Sequence, residues 1–139
     1  MTTPQDRYRH FLETLTQATL DGLRDQVTAD VHFKDPFNDV RGADAMRRIF
    51  QHMFEAVADV RFQVRHMVTD DDLCLMEWRF EGKLGSRPWV FDGMSLIRFA
   101  ANGRVSEHID HWDAAGNFYE RLPVIGWLLA ALRRRLAIR

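Results

Sequence analysis

The sequence predicts an α+β fold: a cone-shaped, curved antiparallel sheet wrapped around N-terminal helices, with a further helix at the C-terminal end. Three observations predict it. Apolar residues recur at helical spacing through most of the first 57 positions, broken by one short extended run. From Val60 to Asp113 they alternate with polar residues in four long runs separated by turn residues. After Pro123 the helical spacing returns. Such an order places helices on one side of a mainly antiparallel sheet, and a twisted sheet around helices leaves a cone that can hold a small molecule.

Tyr8, Phe11, Leu12, Leu15 and Thr19 predict an amphipathic helix over roughly residues 5–18. Leu20, Leu23 and Val27 are the inward side of a second, short helix that stops before Thr28-Ala29-Asp30. Val31–Asp35 is then a short strand with Val31, Phe33 and Asp35 on its buried parity, closed by Pro36, which cannot donate to a ladder. Phe37–Gly42 reads as a turn-rich loop. Ala43–Val57 reads as a helix with Met46, Ile49, Phe50, Met53 and Phe54 as its apolar stripe.

Val60, Phe62, Val64 and Val68 begin the sheet run, and Asp70-Asp71-Asp72 is a charged turn. Cys74, Met76, Trp78 and Phe80 share one face of the next strand, with Glu77, Arg79 and Glu81 opposite. Gly82–Pro88 is a hairpin loop, and Trp89–Phe99 is a long strand. Asn102-Gly103 turns the chain into a last strand, Arg104–Asp113. Asp113 is a good N-cap for a helix that breaks at Pro123. Val124–Arg139 is a further apolar helix with Arg133-Arg134-Arg135 as a basic end.

At 139 residues the chain is expected to form one domain with a real core. A net charge of −1 gives no reason to expect a nucleic-acid partner. The single cysteine, Cys74, and an opening stretch without an apolar signal core predict a cytoplasmic location. No apolar run is long enough for a bilayer, so a membrane partner is not expected. Ten Phe, four Trp and two Tyr predict a deep apolar interior or a pocket for a small apolar ligand.

The last strand carries the most chemistry. Ser106, His108, Asp110 and Trp112 share one face; Val105, Glu107, Ile109, His111 and Asp113 share the other. Each face has a histidine and a carboxylate, so either could line a cavity. Asp35 sits among apolar neighbours, where desolvation favours its protonated form and makes it a better base; a loop-capping role near Asn38 is the plainer reading. Only two metal-type ligands share one strand face, and there is no Gly-rich phosphate loop, Cys-x-x-Cys or nucleophile elbow, so neither metal nor organic cofactor is expected.

Several stretches resemble the nuclear transport factor 2-like superfamily in its SnoaL-like and ketosteroid isomerase-like branch. They are Leu20-Asp-Gly-Leu23, Ala29-Asp-Val-His-Phe-Lys-Asp-Pro36, Arg41-Gly42, Ile97-Arg-Phe99 and Asn102-Gly-Arg-Val105. The resemblance implies a cone fold but no single activity. It places Asp35 on the proton-shuttling aspartate of ketosteroid isomerase, Phe11 on that family's helix-1 tyrosine, and Ser95 on its second oxyanion donor. Asp35 and His108 resemble the Asp–His pair of scytalone dehydratase-like members, and Asp110 the acid/base aspartate of SnoaL-like cyclases. Limonene epoxide hydrolase-like members need an Arg-x-Asp on a central strand; the nearest match, Arg79-x-Glu81, lies on the outward parity. The same register turns the 108/110/112 face inward and implies a substrate wall of Phe11, Phe50, Met76, Trp78, Phe80, Ser95 and Trp112. The implied activity is cofactor-free proton transfer on an apolar hydroxy or keto compound, of isomerase, dehydratase or cyclase type; the alternative is a non-catalytic binding or interaction module. The outer sheet face, assigned Trp89 and Leu96 beside Arg79 and His111, predicts a homodimer.

Overall fold

The structure is a computed structural model that describes residues 2–118 and 122–137. The first helix, α1 (Pro4–Glu13), begins where Thr3 accepts a hydrogen bond from the Asp6 amide and Pro4 takes the first helical position. It is shorter than its apolar spacing predicts. Thr16 and Thr19 cap each other reciprocally and start a 3-10 helix, Gln17–Gly22, in place of further α-helix. A single turn, α2 (Leu23–Gln26), follows; Leu20, Leu23 and Val27 are all buried, as their spacing predicts.

Six strands form one curved, unclosed sheet: β1 (Val27–Lys34), β2 (Asp39–Arg41), β3 (Ala58–Asp70), β4 (Leu73–Leu84), β5 (Arg87–Phe99) and β6 (Val105–His111). Their order across the sheet is β2-β1-β6-β5-β4-β3. The sheet is mixed, not wholly antiparallel, because β1 runs parallel to β6. Helix α3 (Ala43–Ala56) crosses between β2 and β3 and packs its half-buried stripe toward β1. The described C-terminal elements are one turn, α4 (Ala114–Asn117), capped by Asp113 through the Gly116 amide, and α5 (Ile125–Leu136). The predicted helix toward Pro123 and the far end of the last helix fall partly on residues 119–121 and 138–139, outside the described residues.

Several boundaries move, each for a local reason. β1 starts at Val27 because Val27 and Val31 both reach the core. Part of the predicted loop after Pro36 becomes β2, paired antiparallel to β1 at His32–Arg41 and Lys34–Asp39. β4 and β5 continue to a two-residue turn at Gly85-Ser86, where Gly85 has φ +63°. A bulge between Val64 and His66 flips the parity of β3, so Met67 turns inward and Val68 becomes exposed. Another irregularity, between Arg98 and Phe99 opposite Ser106, turns Val105 into the core, against its predicted outward parity. Trp89, assigned to the outer face, is buried at 7% exposure on the inner parity of β5 with Phe91 and Ile97.

α1 is fastened at both ends. Arg7 donates to the Gly103 carbonyl in the β5–β6 turn at 2.7 Å. Glu13 accepts the Val64 amide at 2.9 Å, and Arg9 donates to the Val64 carbonyl at 3.2 Å, so the two side chains satisfy the backbone of the β3 bulge. Tyr8, midway between these fastenings, is fixed over the centre of the sheet at 1% exposure. Among the described residues, no helix is long and apolar enough to cross a membrane.

Candidate functional site

The concave side of the sheet encloses a cavity of about 530 Å³ beneath α1 and α3. Strand alternation builds its wall: Trp78 and Phe80 from β4, Trp89 and Phe91 from β5, and Trp112 just after β6. Their rings pack against one another, Phe91 stacking on Trp112 at 4.4 Å between centroids and meeting Trp78 edge-on at 5.9 Å. Trp78 lies directly over Gly93. A Cβ at position 93 would sit 2.4 Å from the indole, so only glycine leaves the ring its place.

Behind this wall runs a chain of hydrogen bonds that ends on Asp110. Trp78 Nε1 donates to Ser95 Oγ at 2.7 Å, and Ser95 Oγ donates to Asp110 Oδ1. From the other side, His108 Nε2 meets the same Oδ1 at 2.7 Å. A carboxylate can only accept, so Nε2 carries the hydrogen. In the neutral ring His108 Nδ1 is then an acceptor, and Tyr8 Oη donates to it at 2.7 Å. Burial, helped by the charge of Asp110, pushes the Tyr8 hydroxyl well above its ordinary pKa, so it stays a donor. Every proton points toward Asp110 Oδ1, while Oδ2 accepts no hydrogen bond among the described residues.

The parallel pairing of β1 and β6 sets the other half of the site. Phe33 lies opposite His108 and Lys34 opposite Ile109, so the next residues along the two chains are Asp35 and Asp110. Both line the cavity. Asp35 has left the strand: its Oδ1 accepts the Phe37 and Asn38 amides at 2.8 and 2.7 Å and the Asn38 side chain at 3.1 Å, closing the turn after Pro36. The capping role near Asn38 is therefore present. Burial raises the Asp35 carboxyl above its ordinary value; the three N–H donors oppose that, and Asp110 adds to it.

Of the residues singled out in the sequence, Asp35, His108, Asp110, Phe50, Trp78, Phe80 and Trp112 line this cavity together. Three others do not. Phe11 lies on a different side of α1 from Leu12 and stacks on Tyr8, with ring centroids at 6.4 Å. Met76 has no exposed surface and belongs to the core cluster. Ser95 is buried behind Trp78 and acts on the site through its two hydrogen bonds. Arg79 and Glu81 pair with each other at 2.9 Å, half-exposed on the outer parity.

Sequence reasoning treats Tyr8 as one more apolar position on a helix and misses its bond to His108, 100 residues away. The available signal is chemical: a tyrosine on the buried stripe has a hydroxyl that needs a partner, and a buried histidine on the facing strand needs one too.

A model of the SnoaL-like domain family matches residues 8–108. No curated protein matches the chain. Among solved structures, an NTF2-like protein of unknown function from Burkholderia pseudomallei superposes with a TM-score of 0.74 at 18% identity, covering 84% of this chain and 95% of that one. A hypothetical protein with a ketosteroid isomerase-like fold from Catenulispora acidiphila, in complex with trimethylamine, superposes at 0.69 with 12% identity, covering 82% and 88%. An LEH-like epoxide hydrolase from M. tuberculosis superposes at 0.68 with 14% identity, covering 97% and 93%. At these identities the structures report an NTF2-like fold, and the family model assigns the domain: the chain belongs to the SnoaL-like domain family.

Proposed function

We propose that the protein binds a small apolar compound carrying a hydroxyl or carbonyl group in its cone and moves a proton on it without a cofactor, as an isomerase, dehydratase or cyclase does. The observation that carries this reading is the pair of carboxylates that the parallel β1–β6 pairing brings to the cavity wall, Asp110 on β6 held in place and Asp35 in the turn after β1 raised in proton affinity. Asp35 is the base. A carboxyl lifted by burial takes up a proton more readily than a free one and can return it to a neighbouring atom. Asp110, held by Ser95 and His108, presents a fixed charge that stabilises positive charge developing nearby.

Asp35→Asn tests the assignment, because it keeps the shape and removes the base. On a ligand found by thermal-shift screening, turnover should fall by about 10²-fold or more while affinity changes little. Activity of the wild type should rise with pH through the ionisation of Asp35, which burial raises above its ordinary value. Unchanged turnover in the variant would remove Asp35 from the mechanism.

A second reading, ligand binding without turnover, is favoured by the three N–H groups on Asp35 Oδ1, which give the residue a structural task of its own. Phe11, where the related isomerases carry a hydroxyl, points the same way. Tight binding with no product across a panel of hydroxy and keto compounds would select it.

The convex sheet face supports association with a second copy. Val68, Leu75 and Met94 are exposed there at 64, 37 and 50%. Light scattering at micromolar concentration should give twice the chain mass, and Met94→Lys should shift the population toward the monomer; a monomeric wild type refutes this assignment.

A further inference from the structure

The charges around the cavity are unbalanced. Among the described residues that line it there is no lysine or arginine, but there are three carboxylates. One of them, Glu13, is neutralised by Arg9 at 3.3 Å. The other two, Asp35 and Asp110, accept hydrogen bonds from amides, a hydroxyl and an imidazole, and neither has a lysine or arginine partner among the described residues. Lys34 and His111 line an adjoining outer depression of about 440 Å³, which shares Asp35, Asp110 and Trp112 with the cavity. Among the described residues, the inner site itself has no lysine or arginine.

Two like charges near one another in an apolar surrounding repel; burial is the main cause of the raised proton affinity of Asp35, and the charge of Asp110 adds to it. A proton relieves it, and so does a bound cation. The rest of the wall suits the latter. Trp112 and Phe91 stack beside Asp110, Phe37 meets Trp112 edge-on at 5.3 Å, and Phe33 backs His108. Aromatic faces attract a cation through their quadrupole, most strongly where water is excluded, and tryptophan is the best of them. An anionic ligand would meet the opposite: two carboxylates with no lysine or arginine beside them among the described residues.

We infer that the ligand is an apolar amine: its protonated nitrogen sits against Asp35, Asp110 and the Trp112 ring, and its hydrocarbon body fills the Trp78–Phe91 end of the cone. This assignment rests on the cone being a small-molecule site and adds the charge of the molecule that enters it.

The test compares three probes of one skeleton at pH 7 by isothermal titration calorimetry: 2-naphthylmethylammonium, 2-naphthylmethanol and 2-naphthoate. The expected order is ammonium tightest, by about tenfold over the alcohol, with the carboxylate weakest. Asp35→Asn and Asp110→Asn should each reduce the ammonium's advantage over the alcohol, read as the ratio of the two affinities in the same variant. Trp112→Leu, which keeps both carboxylates in the chain, should also reduce it. Equal or tighter binding of the alcohol in the wild type overturns the amine assignment and leaves the cone as a ligand site. Failure of all three probes to bind overturns both. The selectivity is read on the wild type, so a variant that fails to fold does not rescue the assignment.

Discussion

Tyr8→Phe is the most informative single change in this molecule. It removes one oxygen and keeps a ring that packs edge-on against Phe99 and His108 and stacks with Phe11. Little packing is lost, so the effect isolates the hydrogen bond to His108 Nδ1. Both partners are buried at 1 and 3% exposure, and water cannot readily replace the hydroxyl. A lost bond that leaves a buried acceptor unpaired costs about 1–3 kcal/mol. Unfolding entropy of about 2.1 cal/mol/K per residue gives about 0.29 kcal/mol/K for 139 residues. The melting temperature should therefore fall by about 3–10 °C. Urea denaturation with matched m-values gives the free-energy difference directly. A double-mutant cycle with Asp110→Asn tests whether Tyr8 acts through the histidine, since coupled residues depart from additivity by about 0.5 kcal/mol or more. A loss below about 0.5 kcal/mol, or strict additivity with Asp110→Asn, would refute the claim that Tyr8 holds the imidazole for Asp110.

Two further perturbations reach other parts of the site and its flank. Gly93→Ala places a Cβ 2.4 Å from the Trp78 indole and must tilt it away from Ser95; stability should drop by about 1–3 kcal/mol and tryptophan emission should change, and an unchanged spectrum would contradict this close approach. His32 meets Asp39 at 2.7 Å and Glu107 at 3.2 Å, one carboxylate on each ring nitrogen, which raises its pKa. The raised folded value means that its stabilisation is complete below its unfolded pKa of about 6.5 and is lost as pH rises through the folded one. Denaturation from pH 6 to 9 should show this decline in the wild type and a flatter curve in Asp39→Asn/Glu107→Gln; identical slopes would remove His32 as its source.

Much of the sheet is legible in the sequence because period-two alternation is a local property. Cys74, Met76, Trp78 and Phe80 need only their own strand to declare a face, and the family register selects the 108/110/112 face as the inner one. What is not legible depends on neighbours distant in sequence. Nothing local shows that β1 lies beside β6 and runs parallel to it, yet that pairing brings Asp35 next to Asp110. Bulges reverse a face without marking the composition, hence Val68 outward and Val105 inward. The mutual capping of Thr16 and Thr19 is legible as chemistry but competes with a helical apolar spacing that runs on past it. The Tyr8–His108 bond joins chain segments 100 residues apart and becomes visible only when α1 is docked.

The place of β6 between β1 and β5 has a consequence for how the two carboxylates can change over time. His108 and Asp110 ride on an interior strand whose backbone is bonded on both sides, the kind of segment that opens only when much of the domain opens with it. Asp35 belongs to a short exposed turn beside the sheet margin formed by β2. The site thus joins a fixed anchor to an adjustable arm: residues 36–38 can be exchanged, lengthened or shortened without disturbing the anchor. Diversification of what the cone accepts has its easiest route through that turn.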